Sequence, residues 1–383
     1  MCSGGAVLQA ADAPAKPELR YYNVIGNSNI FRFINRGYGV NETATPFQRL
    51  PREYKDSVRS GLWLDQKMTA GYAIRFATRS SRIGIRYQLL MNFAMSHMAY
   101  TGIKGADLYA LRDDGVWEFV ATKIPRAKDS IQSKVFIEHL DTTRMHEYMV
   151  YLPLYDGVKW MEIGVDSAAA ITWPQVASPR YGKKLVFYGT SITQGGCASR
   201  TGMAGTSIIQ RDLDVECVNL GFSGEGRMDT CMARAMARIP DVAAYILEPL
   251  PNCTKARTDT VTYGFVNTLR QLRPEVPIFM VECQNFSYNK YNTQSLSGFT
   301  ALNASYHRWY LKMKAENPKN LYYIDNVNLW GPTQEGTVDG AHLTDLGFYF
   351  YAHKMEPYLK AVLEGKPVPG QKKWDKPVYQ EEK

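Results

Sequence analysis

A serine stands at the end of an apolar segment in KLVFYGTSITQGG, residues 184–196. The apolar residues predict a strand that stops at Gly189, and Thr190 and Ser191 follow directly. Functional groups of α/β proteins collect beyond the carboxyl ends of buried strands, so Ser191 is a candidate nucleophile. From this stretch alone the alternative stays open that Ser191 caps the N-terminus of the next helix, a common role for serine.

A carboxylate and an imidazole lie three residues apart in TVDGAHLTDLGFYFYAHKM, as Asp339 and His342. This spacing predicts that both side chains lie on one side of a helical turn. The carboxylate can then hold one imidazole nitrogen, fix the tautomer and leave the other nitrogen facing a nucleophile. Chance spacing, or an aspartate that caps a helix, explains most such pairs when they are considered alone.

Two further strand ends carry groups that could stabilise a developing negative charge. The stretch VNLGFSGEGRMD runs from a strand into a glycine-rich turn that includes Gly224, and glycine lets a backbone N–H approach a ligand oxygen. The stretch YILEPLPNC ends near Asn252, whose side-chain amide could donate to an oxyanion. Each stretch is also compatible with an ordinary turn, because glycine and asparagine are common turn residues.

The elements around these residues alternate between strands and helices. After the linker-like stretch TWPQVASPRYGKK come strand-like segments (KLVFYG, VECVNLG, VAAYILEPL, VPIFMVE, LYYID) and helical ones (MDTCMARAMARI, YGFVNTLRQLR, LNASYHRWYLKMKAE). Uniformly apolar strands between helices predict a parallel sheet that is covered on both faces. We therefore predict an α/β fold, a three-layer α/β/α domain with a parallel sheet, over residues 180–362.

The first half differs, because residues 20–172 are dense in short strand signals. Three stretches predict hairpins: GYAIRFATRSSRIGIRYQLL turning at 80–81, DLYALRDDGVWEFVAT turning at 113–115, and EYMVYLPLYDGVKWMEIGV turning at 156–157. They indicate an all-β, sandwich-like N-terminal domain. Residues 363–383 are polar and Pro-rich, and predict a tail that drapes over a domain or is disordered.

The composition limits the partners. The chain has 383 residues, 45% of them hydrophobic, which suits about two packed domains. The net charge of +8 comes from scattered basic residues without a Lys/Arg block, so no nucleic-acid partner is expected. No apolar run reaches about 18 residues, so no transmembrane helix is expected. Six cysteines without a C-x-x-C pair leave buried thiols and one or two disulfides as alternatives.

The N-terminal stretch MCSGGAVLQAADAPAKPE resembles the last part of a secretory signal peptide. It is rich in small residues, and residues 11–13 form an A-x-A-like cleavage site. We therefore expect residues 1–19 to be a leader or signal-peptide remnant and the protein to be secreted or periplasmic. A disordered leader on a cytoplasmic protein is the alternative.

Taken together, the four stretches occur in the order serine, glycine, asparagine, histidine. In this order GTSIT, NLGFSGEG, LPN and DGAH resemble the four blocks of the SGNH (GDSL-type) esterases and acetylhydrolases. The resemblance implies that Ser191 is the nucleophile, His342 the general base and Asp339 the residue that orients it. It also implies an oxyanion hole made by the N–H groups of Ser191 and Gly224 and the amide of Asn252.

The first half adds GADLY, residues 105–109, which resembles the G-x-D-L-Y signature of a β-domain fused to such esterases. We assign no role to Asp107 in that signature. Two positions depart from the family pattern, since Thr190 and Glu248 stand where aspartate is usual or frequent. No G-x-S-x-G elbow occurs, which argues against the larger α/β-hydrolase fold.

The resemblance implies a serine esterase that hydrolyses short-chain, chiefly acetyl, esters through an acyl-enzyme, with no metal or organic cofactor. Its substrate is expected to be a small-molecule or polysaccharide ester. The aromatic loop FSYNKYNTQ, with Tyr288 and Tyr291, could line the pocket, although most aromatic residues are expected in the core. A lipid or phospholipid hydrolase and a non-catalytic glycan-binding protein remain alternatives. The other histidines are interpreted as structural or surface residues: His97, His139, His146, His307 and His353.

Overall fold

The structure is a computed structural model that describes residues 18–125 and 133–379. The predicted leader lies outside this range except for its last two residues. Within the described chain, the N-terminal strands are β1 (Leu19–Asn23), β2 (Arg32–Ile34), β3 (Ala73–Thr78), β4 (Ile83–Leu89), β5 (Ala106–Leu111), β6 (Trp117–Lys123), β7 (Lys134–Ile137), β8 (His146–Tyr151), β9 (Val158–Asp166) and β10 (Ile171–Thr172). Two short helices accompany them, α1 (Ser60–Asp65) and α2 (Tyr100–Ile103).

These strands form two antiparallel sheets that pack face to face. One has the order β1-β9-β4-β7, and the other has the order β10-β3-β8-β5-β6 with β2 also paired to β3. Ile85 and Ile163 from the first sheet and Ile74 and Phe76 from the second are fully buried in one shared core. The N-terminal half is therefore all-β and sandwich-like, with interdigitating inner faces.

Two of the three predicted hairpins are wrong. The pair β5–β6 is a hairpin, closed by a bond from the Arg112 N–H to the Val116 oxygen (2.9 Å). The segments at 80–81 and 156–157 instead carry the chain from one sheet to the other, because β3 pairs with β8 and β4 with β9. A crossing strand buries the same alternate side chains as a hairpin strand does, so the sequence pattern does not distinguish them.

The second half contains a parallel sheet flanked by helices. Its strands are β11 (Lys184–Gly189), β12 (Glu216–Gly221), β13 (Val242–Glu248), β14 (Ile278–Val281) and β15 (Leu321–Ile324), in the order β12-β11-β13-β14-β15. Its helices are α3 (Ser191–Gln194), α4 (Gly205–Leu213), α5 (Thr230–Ala237), α6 (Lys255–Leu272), α7 (Thr293–Glu316) and α8 (Asp345–Leu363). Short 3-10 turns cover Arg52–Tyr54, Thr201–Met203, Leu250–Asn252, Ser287–Lys290 and Gln371–Lys373.

Alternation along β11, which lies between β12 and β13, separates the helices into two layers. Val186 and Tyr188 pack in the core that contains α5, α6 and α7. Leu185 and Phe187 point the other way, into the core that contains α4 and α8. Because both faces of β11 are covered, every residue from 185 to 189 is buried, and the predicted three-layer α/β/α arrangement is confirmed.

The GADLY signature joins the two halves. Asp107 on β5 is fully buried, and its Oδ2 accepts hydrogen bonds from the Gly202 N–H (2.8 Å) and from Arg200 Nη1 (3.1 Å). Tyr109, two residues further on the same face of the strand, places its hydroxyl oxygen 2.5 Å from Arg200 Nη1. The signature therefore anchors the loop that follows α3 to the β-sandwich.

As far as residue 379, the C-terminal tail packs against the α/β/α domain, which is the first of its two predicted alternatives. Gln371 hydrogen-bonds through its side chain to the backbone N–H and oxygen of Tyr323 (2.9 and 3.1 Å). The Trp374 backbone oxygen lies 3.0 Å from His307 Nε2. The five cysteines in the described residues are free thiols: Cys197, Cys217, Cys231, Cys253 and Cys283. No helix of the described chain is long and apolar enough to cross a membrane.

Candidate active site

Ser191 is the first residue of α3, directly beyond the carboxyl end of β11. Thr190, not Ser191, is the N-cap, because its side-chain oxygen accepts a hydrogen bond from the Ile192 N–H (3.3 Å). Thr193 completes a capping box by accepting from the Thr190 N–H (3.3 Å). The capping alternative for Ser191 is therefore wrong, and its hydroxyl is available for another partner.

That partner is His342, whose Nε2 lies 2.9 Å from Ser191 Oγ. His342 Nδ1 lies 2.7 Å from Asp339 Oδ2. The three side chains thus form one continuous chain of hydrogen bonds, assembled from residues 151 positions apart. A tautomer with Nδ1–H donating to the carboxylate leaves the Nε2 lone pair facing the serine hydroxyl, which is the arrangement of a general base beside a nucleophile.

The segment 339–342 is a bend ahead of α8, so the predicted helical turn is wrong. Asp339 Oδ1 accepts from the N–H groups of Ala341 and His342 (2.9 and 2.7 Å), and Gly340 turns the chain with φ of +87°. Partial burial alone would raise the pKa of Asp339. The backbone and ring hydrogen bonds from His342 and the bond from Ala341 outweigh it and lower the pKa to about 2. The carboxylate is therefore ionised at neutral pH.

The glycine turn lies against the serine helix. Gly224 has φ of +70°, and a Cβ built there would meet no atom within 4 Å, so this part of the turn faces open space. A Cβ on Gly226 would lie 1.8 Å from the Gly189 oxygen, so only glycine permits the turn to pack on the end of β11. Within the described residues, the N–H groups of Ser191 and Gly224 donate to no other group. Both remain available to an incoming oxygen.

Asn252 ends the 3-10 turn beyond β13 and contacts the same glycine turn. In one amide orientation its Nδ2 donates to the Phe222 oxygen (3.3 Å). In the other orientation, which satisfies both amide atoms, its Oδ1 accepts from the N–H groups of Glu225 and Gly226 (3.2 and 3.3 Å). The structure thus brings Asn252 to the turn that carries Gly224, as the sequence analysis requires for a joint role.

Residues that the sequence analysis did not single out hold these parts together. Gln194 Oε1 accepts from the Ser223 N–H (3.0 Å), and its Nε2 donates to the Leu154 oxygen (3.1 Å). The Tyr155 hydroxyl donates to the Ser191 backbone oxygen (3.2 Å). Leu154 and Tyr155 belong to the β-sandwich half, so that half directly supports Ser191 and the helix that carries it. Sequence offers no signal for these contacts, since they join residues far apart in the chain.

His97 also lies at the site. Its ring centroid is 5.5 Å from that of His342, at an interplanar angle of 59°. The loop after β4 that carries it is held by Asp156, whose carboxylate accepts from the N–H groups of Met91 and Phe93 (2.8 Å each). The sequence predicts only a structural or surface role for His97, because no spacing in the sequence connects it to His342.

Glu248, which departs from the family pattern, lies behind α3 at the end of β13. Its carboxylate accepts hydrogen bonds from Thr193 Oγ1 (3.0 Å) and from the Tyr351 hydroxyl (2.5 Å). Burial raises the pKa of Glu248 to about 7, and these two hydrogen bonds only partly oppose that shift. Because Thr193 also belongs to the capping box, Glu248 supports the turn that presents the serine.

The aromatic loop lies beside the Asp339–His342 bend. The Ser287 N–H donates to the Gly340 oxygen (2.9 Å), and Tyr288 flanks the same glycine. Tyr288 is 51% exposed and Tyr291 84% exposed, so neither ring is a core residue. The loop therefore lies next to the bend that carries Asp339 and His342, and its role in lining a substrate pocket stays a prediction.

The fold and the site together define a class of hydrolase that has a three-layer α/β/α domain but not the G-x-S-x-G elbow of the larger α/β-hydrolase fold. Residues 182–360 match the GDSL-like lipase/acylhydrolase family, and residues 20–171 match the GxDLY family, the N-terminus of SGNH-hydrolase-type esterases. A crystal structure from Bacteroides ovatus ATCC 8483, described as a GDSL-like lipase, is 30% identical. The alignment covers 91% of this chain and 98% of that chain, with a TM-score of 0.83.

This chain belongs to the GDSL-like lipase/acylhydrolase family, and it is an ester hydrolase. Two more distant structures share the fold. The salicylyl-acyltransferase SsfX3 from a tetracycline biosynthetic pathway is 15% identical, with a TM-score of 0.71 over 91% of this chain and 99% of that one. A family two carbohydrate esterase from Cellvibrio japonicus is 11% identical, with a TM-score of 0.57 over 91% and 98%. No curated protein matches the chain.

Proposed function

We propose that the protein removes short acyl groups, acetyl above all, from a carbohydrate, with Ser191 as the nucleophile. The observation that carries this proposal is the unbroken contact from Ser191 Oγ through His342 to Asp339, with distances of 2.9 and 2.7 Å. A serine hydroxyl is a weak nucleophile unless an adjacent base accepts its proton. The position of His342 beside Ser191, with Asp339 on the other side of the ring, supports the assignment of His342 as that base.

In the first half of the reaction, Ser191 Oγ attacks the ester carbonyl carbon while its proton moves to His342 Nε2. The C–O bond to the alcohol then breaks, and the same proton passes from His342 to the departing alkoxide. In the second half, water attacks the acyl-serine and gives a proton to His342. The carboxylic acid leaves as the proton returns to Ser191 Oγ. Asp339 stays ionised throughout, in keeping with its lowered pKa.

The developing oxyanion is held by three donors: the N–H groups of Ser191 and Gly224 and the side-chain amide of Asn252. The support for this assignment is that neither N–H donates within the described structure and that Asn252 contacts the glycine turn. Donors fixed before the reaction stabilise charge without reorganisation. Removing one of them is expected to lower kcat by about 10²–10³-fold.

A carbohydrate as the carrier of the ester is supported by the exposure of the site. The side chains of His342 and Asp339 are 28% and 37% exposed, so an ester on a bulky polymer can reach the serine. Tyr288 offers an exposed aromatic face beside this opening, and such faces pack well against amphipathic rings. The Cellvibrio japonicus carbohydrate esterase has the same fold. The acetyl preference rests on the family resemblance.

The test compares wild type with Ser191→Ala on p-nitrophenyl esters of two, four and eight carbons, and then on acetylated polysaccharides with acetate release as the readout. Ser199→Ala is the matched control, because its hydroxyl lies in the loop that follows α3 and bonds Asp345 instead of His342. Labelling by a serine-directed phosphonate, followed by peptide mass spectrometry, locates the nucleophile independently of substrate.

The proposal predicts acetyl-ester turnover and label at Ser191, retention of both in Ser199→Ala, and loss of both in Ser191→Ala. Preference for the eight-carbon ester would favour a lipid hydrolase that uses the same residues. Absence of both turnover and label in wild type would instead favour a glycan-binding protein.

We also propose that the protein acts outside the cytoplasm. The support is the resemblance of residues 1–19 to the end of a signal peptide. Expressing the gene with its upstream region and sequencing the N-terminus of the mature protein tests this. Cleavage near residue 13 is expected, and an uncleaved cytoplasmic product would contradict the proposal.

A further inference from the structure

Three side chains of the types that bind zinc converge at the proposed base. One ligand atom each from His97, Cys197 and His342 lies within 4.8 Å of the other two. They come from three separate segments: the loop after β4, the loop after α3 and the bend before α8. Cys197 is a free thiol, so no disulfide prevents its sulfur from binding a metal. It is 8% exposed. Neither His97 nor Cys197 has a role in the proposed reaction.

Two imidazoles and a thiolate are a ligand set that soft divalent cations prefer. Zinc bonds of about 2.0–2.1 Å to nitrogen and about 2.3 Å to sulfur place tetrahedral ligand atoms about 3.3–3.6 Å apart. Atoms that already lie within 4.8 Å need to approach by no more than about 1.5 Å to meet that requirement. Three protein ligands leave the fourth tetrahedral position to a water molecule or to the nearby serine oxygen.

We propose that a thiophilic divalent cation, with Zn²⁺ as its representative, binds His97, Cys197 and His342 and reversibly inhibits the enzyme. The inhibitory consequence rests on the proposed function, since it requires His342 to be the base. Binding releases the Cys197 proton to solvent and involves no change of oxidation state. The site differs from a catalytic metal centre, because the metal occupies the group that the reaction needs.

Inhibition follows whichever nitrogen of His342 binds the metal. A metal on Nε2 occupies the lone pair that would take the proton from Ser191 Oγ, 2.9 Å away. A metal on Nδ1 displaces the contact with Asp339 Oδ2 at 2.7 Å and removes the orientation of the ring. In both cases His342 no longer acts as an oriented base, and removal of the metal by a chelator restores the contact.

A second cluster offers an internal comparison. Asp212, His353 and Glu356 also have ligand atoms within 4.8 Å of one another, but two of the three are carboxylates and two are exposed. Exposed acidic groups commonly cluster without binding an ion. Zinc bound at this cluster would leave the esterase active, because none of its residues contacts Ser191, His342 or Asp339 in the described structure.

The experiment measures binding separately from inhibition. Binding is measured on Ser191→Ala by equilibrium dialysis with Zn²⁺ and by the thiolate-to-metal charge-transfer absorption of Co²⁺. Inhibition by Zn²⁺ is measured on the wild type, His97→Ala and Cys197→Ser, each relative to its own metal-free rate. Cys231→Ser, a partly buried thiol on α5, and His353→Ala, in the second cluster, are the matched controls.

The proposal predicts cobalt–thiolate absorption in Ser191→Ala that disappears when Cys197 is also replaced. It predicts that the zinc inhibition constant rises at least about tenfold in His97→Ala and Cys197→Ser, and stays at the wild-type value in both controls. EDTA should restore the original rate. Equal inhibition of all variants, activation by zinc, or absence of cobalt–thiolate absorption would overturn it.

Failure of the two proposals can be told apart. Cobalt–thiolate absorption in a protein that hydrolyses no ester would retain the metal site and reject the esterase mechanism. Ester turnover that depends on Ser191 without any metal effect would do the reverse. Circular dichroism of each variant confirms that a lost response does not come from unfolding.

Discussion

Replacing Glu248 with glutamine isolates the effect of a partly buried carboxylate behind the helix that carries Ser191. Both hydroxyl partners, Thr193 Oγ1 and the Tyr351 hydroxyl, can stay in place, because glutamine has the shape of a protonated glutamate. One hydroxyl then donates to the amide oxygen, and the other accepts from the amide nitrogen. The substitution therefore removes the ability to ionise while it leaves packing and hydrogen bonding nearly intact.

The magnitude follows from the pKa. Burial raises the pKa of Glu248 from 4.5 to about 7, a shift of about 2.5, and each unit corresponds to about 1.36 kcal/mol. Between pH 4.5 and about 7, the folded state therefore keeps a proton on Glu248 that the unfolded state has already lost. The stability contributed by the protonated form is fully present below pH 4.5 and is lost as the pH rises to about 7. The free energy of unfolding should fall by about 3 kcal/mol from this group alone.

The assay is urea unfolding of wild type and Glu248→Gln, followed by tryptophan fluorescence between pH 4.5 and 8.5. The difference between the two proteins cancels the titration of the other groups. As the pH rises, the free energy of unfolding of the wild type should fall relative to that of Glu248→Gln, and the difference should level off above about pH 7.5. A difference that is independent of pH would refute the argument that the pKa of Glu248 is raised in the folded protein.

Three further substitutions test the rest of the site. Asp339→Asn should lower kcat about 10⁴-fold, because His342 loses the partner that fixes its tautomer. It should also destabilise the protein at neutral pH, and this effect should fade as the pH falls below about 4 toward 2, since the pKa of Asp339 is lowered from 3.8 to about 2. Asp107→Ala should destabilise the protein by about 1–3 kcal/mol in urea unfolding, because the Gly202 N–H loses its acceptor. Tyr288→Ala should raise KM for an acetylated polysaccharide about 2- to 10-fold, with a smaller change for p-nitrophenyl acetate.

The candidate site was largely predictable from sequence for a physical reason. Three of the site residues follow strands of one parallel sheet: Ser191, Gly224 and Asn252. The fourth, His342, lies ahead of α8, and each of the four belongs to a short local sequence pattern. Parallel strands bring their carboxyl ends to one edge whatever the packing of the helices is. The order of these groups along the chain, together with the resemblance to the four SGNH blocks, was therefore sufficient to predict which groups meet.

The local backbone conformation of the site was less predictable than which of its residues lie close together. Asp339 and His342 meet across a bend and not on a helix, because Gly340 takes φ of +87° and the Asp339 carboxylate bonds two successive N–H groups. Thr190 replaces the usual aspartate but still supplies the capping oxygen that the turn requires. A departure from a family pattern can thus preserve the hydrogen bond that the pattern provides.

The crossings of the β-sandwich and the position of His97 could not be predicted. Both depend on which sheet a strand joins, and alternation along a strand carries no information about its neighbours. The loop after β4 reaches His342 only because β4 pairs with β9 and because Asp156 binds the N–H groups of Met91 and Phe93. Non-local contacts of this kind leave no periodic signal in one sequence.

These contacts make the β-sandwich part of the candidate active site and not merely a neighbour. Met68, Leu154 and Tyr155 share a buried core with Leu185 and Phe187 of β11, the strand that ends two residues before Ser191. The Tyr155 hydroxyl bonds the Ser191 backbone oxygen, so the same half fixes the serine. A hydrolase half without its sandwich would expose this apolar surface and lose that bond. The N-terminal half therefore contributes both to the stability of the parallel sheet and to the geometry of Ser191.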